Sequence, residues 1–371
     1  MTANLRHAAG SLLVVGLAGT ELTSLERAWL KLVRPGGIIL FRRNIADVRQ
    51  TRSLLDEATG LGAAHGFRCV DVEGGTVDRL REALAPIPSA RAVMQAAANT
   101  KKMQLIREQG ELVAQSVKAF GFNTTLAPVL DLALPASAEV MGTRTAAPTA
   151  AGVVEYGRGF LAGLAKYGVV GCGKHFPGLG SGALDSHLET PAIRRSGSDL
   201  WREDLAPYRE LRNRLPMVMV NHAAYPDTPG KNRPASVSPY WITAALRKRI
   251  GYRGIIFSDD LEMGGILKFM QIEEAAVAAI RAGMDLLEIC HSPELILRAY
   301  EALIAEGERS AAFSKLLLAR ATKTARARAK LFAGGVSKPL SPRQFEALRE
   351  RILRFNAMVA KAQPTSEVQP A

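Results

Sequence analysis

The sequence predicts an α/β protein built as a (β/α)8 barrel of TIM type, a single domain with extra C-terminal helices. Three observations lead there. Eight strand-length apolar runs follow one another, each unbroken rather than alternating, as in strands buried on both faces of a parallel sheet. Amphipathic stretches of helical period separate them. Nearly every conspicuous polar residue falls at the C-terminal end of a run, where barrels of this kind carry their chemistry. A doubly wound open sheet is the rival, and no early GxGxxG supports a dinucleotide-binding version of it. No Pro/Ser-rich linker and no internal repeat divides the chain. The expected layout is a barrel over 1–335, a helical extension over 336–361 and a disordered tail over 362–371.

In chain order, SLLVVGL (11–17) reads as the first strand. The N-terminus could also pass for a short signal peptide, with Arg6, a brief apolar run and small residues. The strand reading is preferred, because a similar run, GGIILF (36–41), follows. Between them TSLERAWLKLV (23–33) opens with Thr23 and has Glu26 three residues on, a capping-box signature. RCVDVEGG (68–75), TTLAPVLDL (124–132) and GVVGCGKHF (168–176) are the next strands, with helices expected over 100–121 and 150–168. PMVMVNHAAY (216–225), GIIFSDD (254–260) and DLLEICH (285–291) complete the eight. A helix over 238–251 and one over 272–283 ending in Gly lie between these, and the chain then reads as helical to about 360.

Composition narrows the function. The 47% hydrophobic and 22% charged content is that of a folded soluble protein. Three well-separated cysteines, Cys69, Cys172 and Cys290, have no metal-ligand spacing and argue against a disulfide framework, which places the protein in a reducing, cytoplasmic setting. No run reaches membrane-span length. The net charge of +13 raises a nucleic-acid surface, but the excess collects in KLLLARATKTARARAK (315–330), without interleaved aromatics. A helix with a solvated basic face is the simpler expectation.

The polar strand ends are the candidate site. Asp71, Glu73, Gly74, Gly75 and Arg79 follow the third run, and Arg144 follows the fourth. The fifth ends in Lys174-His175 and enters a Gly-rich loop holding Asp185 and His187. Asn221-His222, Asp259-Asp260, and Glu288 with His291 end the last three. Each has a plainer reading. Asp71 or Glu73 could cap a helix. Lys174-His175 could anchor a phosphate. Asp185 and His187 could be two metal ligands, but the others would have to come from remote positions. His222 alone fits a hydrogen-bonded structural role, and His7, His65 and His291 read as structural or surface residues. Burying so many charges together is costly unless they serve a site. A fixed carboxylate, an acid/base on a Gly-rich loop and groups of both signs around them suit a polyhydroxylated substrate.

GIILFRRN, DVEGGTVDRL, APVLDL, KHFPGLG, DSHLETP and FSDDLEM together resemble the family 3 glycoside hydrolases. Among these the chain is similar to the single-domain β-N-acetylglucosaminidases of bacterial cell-wall recycling, from about residue 10 to 330. The resemblance implies a (β/α)8 barrel and a retaining two-step mechanism without metal or cofactor. It implies Asp259 as nucleophile, Asp260 as a supporting residue, and His187 oriented by Asp185 as general acid/base. It implies Asp71, Arg79, Arg144, Lys174 and His175 as sugar contacts. A histidine titrates near neutral pH, which suits an acid on an exposed loop. The chain departs from the pattern at Leu179, where histidine is usual, at GSGAL in the same loop, and at Val72, where glutamine is usual.

The expected function is exo-acting release of N-acetylglucosamine from peptidoglycan fragments ending in anhydro-muramic acid. The expected partner is a small carbohydrate, with no nucleic acid and no membrane, and the chain is expected to be a monomer. A β-glucosidase, β-xylosidase or glycoside phosphorylase of the same barrel, or a non-catalytic muropeptide-binding barrel, are the alternatives.

Overall fold

The computed structural model describes residues 2–181 and 191–363. Eight parallel strands close into a barrel: β1 (Leu13–Val15), β2 (Gly37–Leu40), β3 (Phe67–Val70), β4 (Thr124–Thr125), β5 (Val170–Phe176), β6 (Met217–Val220), β7 (Ile255–Asp260) and β8 (Leu286–Ile289). Closure comes from β8 pairing with β1, Leu13 opposite Leu287. Seven lie within the predicted runs, and β3 begins one residue before its own, at Phe67.

Side chains alternate across each strand and sort into two cores. Outward residues such as Leu13, Ile38, Val218 and Ile256 pack under the helices. Inward residues fill the barrel: Val170 and Cys172 on β5, Ile255 and Phe257 on β7, Leu286 on β8. The next inward positions toward the C-terminal rim are Lys174, Asp259 and Glu288. The apolar filling therefore ends where the charges begin. All three free cysteines lie buried in the barrel filling. The opposite end is closed by Phe332, edge-on to Phe67 with ring centroids 5.2 Å apart.

The helices follow their local signals. Thr23 and Glu26 form the reciprocal capping box at the helix Ser24–Val33. The helix Ile272–Ala282 ends at Gly283, whose φ of 115° suits a residue without a side chain.

Several elements differ from the sequence-based expectation. A helix, Thr2–Ser11, precedes β1, with Leu5, Ala8 and Ala9 buried against the helices Pro293–Arg309 and Ala311–Leu331. The third run leaves the barrel at Asp71 and forms a small antiparallel hairpin, Val72–Gly74 with Val77–Asp78. The fourth run is regular only at Thr124–Thr125, since Pro128 has no N–H to give the ladder. The basic helix Ala311–Leu331 does not present all its cations to solvent. Arg320 and Lys323 reach the buried Asp285, and buried Arg328 donates to Ser11 O. The helix Pro342–Lys361 lays Leu348, Ile352, Phe355 and Val359 against the helices Ala90–Thr100 and Gln104–Ala119. Ala362 and Gln363, placed in the tail by sequence, bond to Asn99 and Ala92. The remaining tail lies outside the described residues. No helix among those described is long and apolar enough to cross a membrane.

Candidate active site

A cavity of about 220 Å³ opens at the C-terminal rim of the barrel. Asp71, Arg79, Arg144, Lys174, His175 and Asp259, gathered from four strands and their loops, all line it. Asp185 and His187 lie outside the described residues.

Lys174, inward on β5, bridges two carboxylates, with Nζ 2.7 Å from Asp71 Oδ1 and 2.6 Å from Glu73 Oε1. Arg144 grips Glu73 with two parallel bonds, Nε to Oε2 at 2.8 Å and a terminal nitrogen to Oε1 at 2.9 Å. Arg79 stands 3.8 Å from Asp71. Burial by itself would push the Glu73 carboxyl up, but the charges and hydrogen bonds of Arg144 and Lys174 outweigh it and hold Glu73 well below the usual carboxylate range. The same pairs overcome desolvation of Lys174 and Arg144 and raise both. The network is thus fully charged and its donors are fixed in place.

His175 is set by a carboxylate at the end of the fourth run. Its Nδ1 is 2.7 Å from Asp131 Oδ2, which also accepts the His175 backbone N–H at 3.1 Å. The other oxygen of Asp131 accepts the Leu179 N–H at 2.6 Å. Asp131 therefore orients the imidazole and pins the start of the Gly-rich loop. The far ring nitrogen of His175 lies 3.5 Å from Arg144, which joins the two groups of charges.

Asp259 ends the inward row of β7 and accepts the Asp260 N–H at 3.0 Å. Burial would raise its carboxyl. His175, His222, that N–H and Lys174 together outweigh burial and lower it, so Asp259 is ionised at neutral pH. Asp260 is driven the other way, to about 7, by burial and then by the charge of Glu262. Two adjacent carboxyls are thereby pushed in opposite directions, a division used by enzymes that need both states. His222 supports this corner with Nδ1 2.7 Å from Ser236 Oγ and Nε2 2.9 Å from Asp260 O.

Asp260, Glu262 and His291 come close enough together to share an ion. Glu262, however, already accepts the backbone N–H groups of Cys290, His291 and Ser292, so it is committed to holding the loop after β8. His291, read from sequence as a structural or surface residue, lines the cavity and faces Phe41 at 5.4 Å.

Sequence reasoning left Glu73 between function and capping, placed Glu288 at a strand end without a role, and overlooked Asp131. Glu73 is the hub of the charged network. Its signal was its spacing, two residues after Asp71 on the same strand face. Asp131 ends an apolar run as the chosen acids do, but nothing nearby in sequence marks its partner, 44 residues on.

Carboxylates fixed on the rim of a (β/α)8 barrel, with Arg144 and Lys174 paired to them, suit the barrel class of glycoside hydrolases. Residues 4–320 match the glycosyl hydrolase family 3 N terminal domain, and the chain belongs to that family. A β-hexosaminidase of Alkalilimnicola ehrlichii is 39% identical over 287 residues, 76% of this chain and 82% of the relative. A family 3 β-N-acetylglucosaminidase from a Paenibacillus species superposes with a TM-score of 0.84 at 31% identity, covering 95% of this chain and 68% of that one. NagZ from Neisseria gonorrhoeae superposes with a TM-score of 0.77 at 29% identity, over 95% of this chain and 98% of that one.

Proposed function

We propose that this glycoside hydrolase is a retaining exo-β-N-acetylglucosaminidase. It removes non-reducing terminal N-acetylglucosamine from peptidoglycan fragments, including those ending in anhydro-muramic acid, in the cytoplasm. The relatives named β-hexosaminidase and β-N-acetylglucosaminidase support the sugar. The observation that carries the mechanism is the ionised Asp259 on the pocket floor, beside donors that are fixed and charged.

In this reading Asp71, Arg79, Arg144, Lys174 and His175 hold the sugar. Asp259 attacks the anomeric carbon and forms a glycosyl-enzyme. His187, oriented by Asp185, protonates the leaving oxygen and then takes a proton from the incoming water. Leu179 lines the cavity, so the segment carrying that pair begins at the pocket rim. Imidazole is neutral once it has donated its proton, so it does not repel a carboxylate-bearing leaving sugar.

The test is an aryl N-acetylglucosaminide alongside a natural disaccharide. Asp259→Ala should lower turnover of both by at least about ten-thousand-fold. His187→Ala should slow the disaccharide far more than the aryl glycoside, whose leaving group needs no proton. Equal losses on both substrates count against His187. A fluorinated N-acetylglucosamine inactivator should label the peptide that contains Asp259. Faster cleavage of aryl glucosides, dependence on added phosphate, or saturable binding without cleavage would each replace this reading with one of the alternatives.

A further inference from the structure

Five carboxyls line the cavity: Asp71, Glu73, Asp259, Asp260 and Glu288. Three permanent cations, Arg79, Arg144 and Lys174, face them. The acids therefore exceed the cations by two. The cations are also unevenly spread. They enter from the hairpin after β3, from the loop after β4 and from β5, where they pair with Asp71 and Glu73. The β7–β8 side presents Asp259, Asp260, Glu288, Cys290 and His291.

Glu288 occupies the inward position above Leu286 on β8 and is 3% exposed. Its backbone is held on both sides, by Ser258 Oγ on its N–H and by the Leu261 N–H on its carbonyl. Its carboxyl accepts one hydrogen bond among the described residues, from Cys290 Sγ at 3.4 Å, and forms no ion pair with them. It stands on a rigid strand at the pocket floor with one oxygen uncommitted, on the side where fixed donors are scarce.

We propose that Glu288 is a further sugar-contacting residue of this site, a hydrogen-bond donor on the pocket floor beside Asp259. The inference rests on the glycosidase reading for its substrate, though the contact requires only that a sugar occupies the cavity. Protonation makes the role available. Burial pushes the Glu288 carboxyl well above the usual range, and Asp260, Asp259 and Asp71 push it further, against a small opposing bond from Cys290. The other titratable groups facing it are Cys69 on β3 and Cys172 on β5, whose thiols burial also raises, so neither supplies a counter-charge. A neutral carboxylic acid donates as a hydroxyl does, and it leaves Asp259 as the ionised acid of that corner. When Glu288 ionises it loses its donor and places a second negative charge next to Asp259.

Glu288→Gln keeps a donor and cannot ionise, whereas Glu288→Leu removes the donor. With an aryl N-acetylglucosaminide, the Gln variant should stay within a few-fold of the parent near neutral pH, and its activity should persist to higher pH. The Leu variant should lose about ten-fold or more in kcat/KM, as expected for a lost donor in a pocket. The proposal is overturned if the Leu variant matches the parent at every pH, or if the Gln variant is as impaired as the Leu variant and shows no alkaline extension. Should the Leu variant fail to fold, the alkaline limb of the Gln variant decides alone. An inactive parent would sink the hydrolase reading. Glu288 is then judged by calorimetric binding of N-acetylglucosamine, which the Gln variant should preserve and the Leu variant should weaken.

Discussion

Glu73 shows how one carboxylate can hold a site together. Both oxygens are taken, by Arg144 and by Lys174, and all three side chains are largely buried. Glu73→Ala would strand two buried cations, so it should cost about 3–5 kcal/mol of stability, seen as a lower denaturation midpoint, along with lost activity. Asp204 is the opposite case. It is buried beneath the start of the Gly-rich loop, next to Gly178, and neither oxygen accepts a hydrogen bond from another described residue. Arg195 is 3.3 Å away but not aligned to donate. Burial lifts its carboxyl from 3.8 to about 7. A raised pKa means the fold favours the protonated acid, so its stabilising contribution is complete below about 4 and is lost as pH rises through about 7. Asp204→Asn should therefore melt near the parent in mild acid and several degrees above it in mild base. A variant equally or less stable in base would show that Arg195 neutralises Asp204 after all. None of this is legible in the sequence. The sequence marks Glu73 as a strand-end acid and does not single out Asp204; in both cases only the fold brings the neighbours in or withholds them.

At the scale of elements, the helices Gln104–Ala119 and Ala150–Lys166 make the most intimate pair on the outer ring. A Cβ on Gly163 would lie 2.4 Å from Arg107 O, and one on Gly110 would lie 2.3 Å from Phe160 O. The backbones touch where both helices have lost their side chains. Gly163→Ala should force them apart and cost about 1–3 kcal/mol, although alanine is the better helix former. A thermal melt showing no loss would mean that the contact is slack. The helix over 150–168 was readable because its apolar residues recur at helical spacing. The role of its glycines was not, because a close approach depends on the partner. The strands were readable for a simpler reason. Burial on both faces removes polar residues from a parallel strand, so each appears as an unbroken run. What blurred was where the runs end, because β3 and β4 give way to the hairpin and the loop that build the pocket.

For the whole molecule, charge and fold meet differently at the two ends of the barrel. At the rim, excess acid surrounds the cavity. At the base, Arg247, Arg320 and Lys323 converge on Asp285, which also accepts the Ile256 N–H. Part of the basic balance is therefore structural, spent on tying the helix Ala311–Leu331 to the barrel, which composition alone assigned to the surface. The barrel was legible because one rule, apolar runs alternating with helical periods, repeats eight times. The site was legible only as far as strand ends mark it. Its wiring joins residues as far apart as Asp71 and Lys174, 103 positions in sequence.

The seam between β1 and β8 has a consequence for how the protein is made. Leu13 leaves the ribosome 274 residues before Leu287, the neighbour it must pair with. Until then β1 has one edge bare, and the helix ahead of it has no Pro293–Arg309 or Ala311–Leu331 to rest on. Nascent chains stalled short of that point carry an open sheet, and holdase chaperones would find their longest-lived target there.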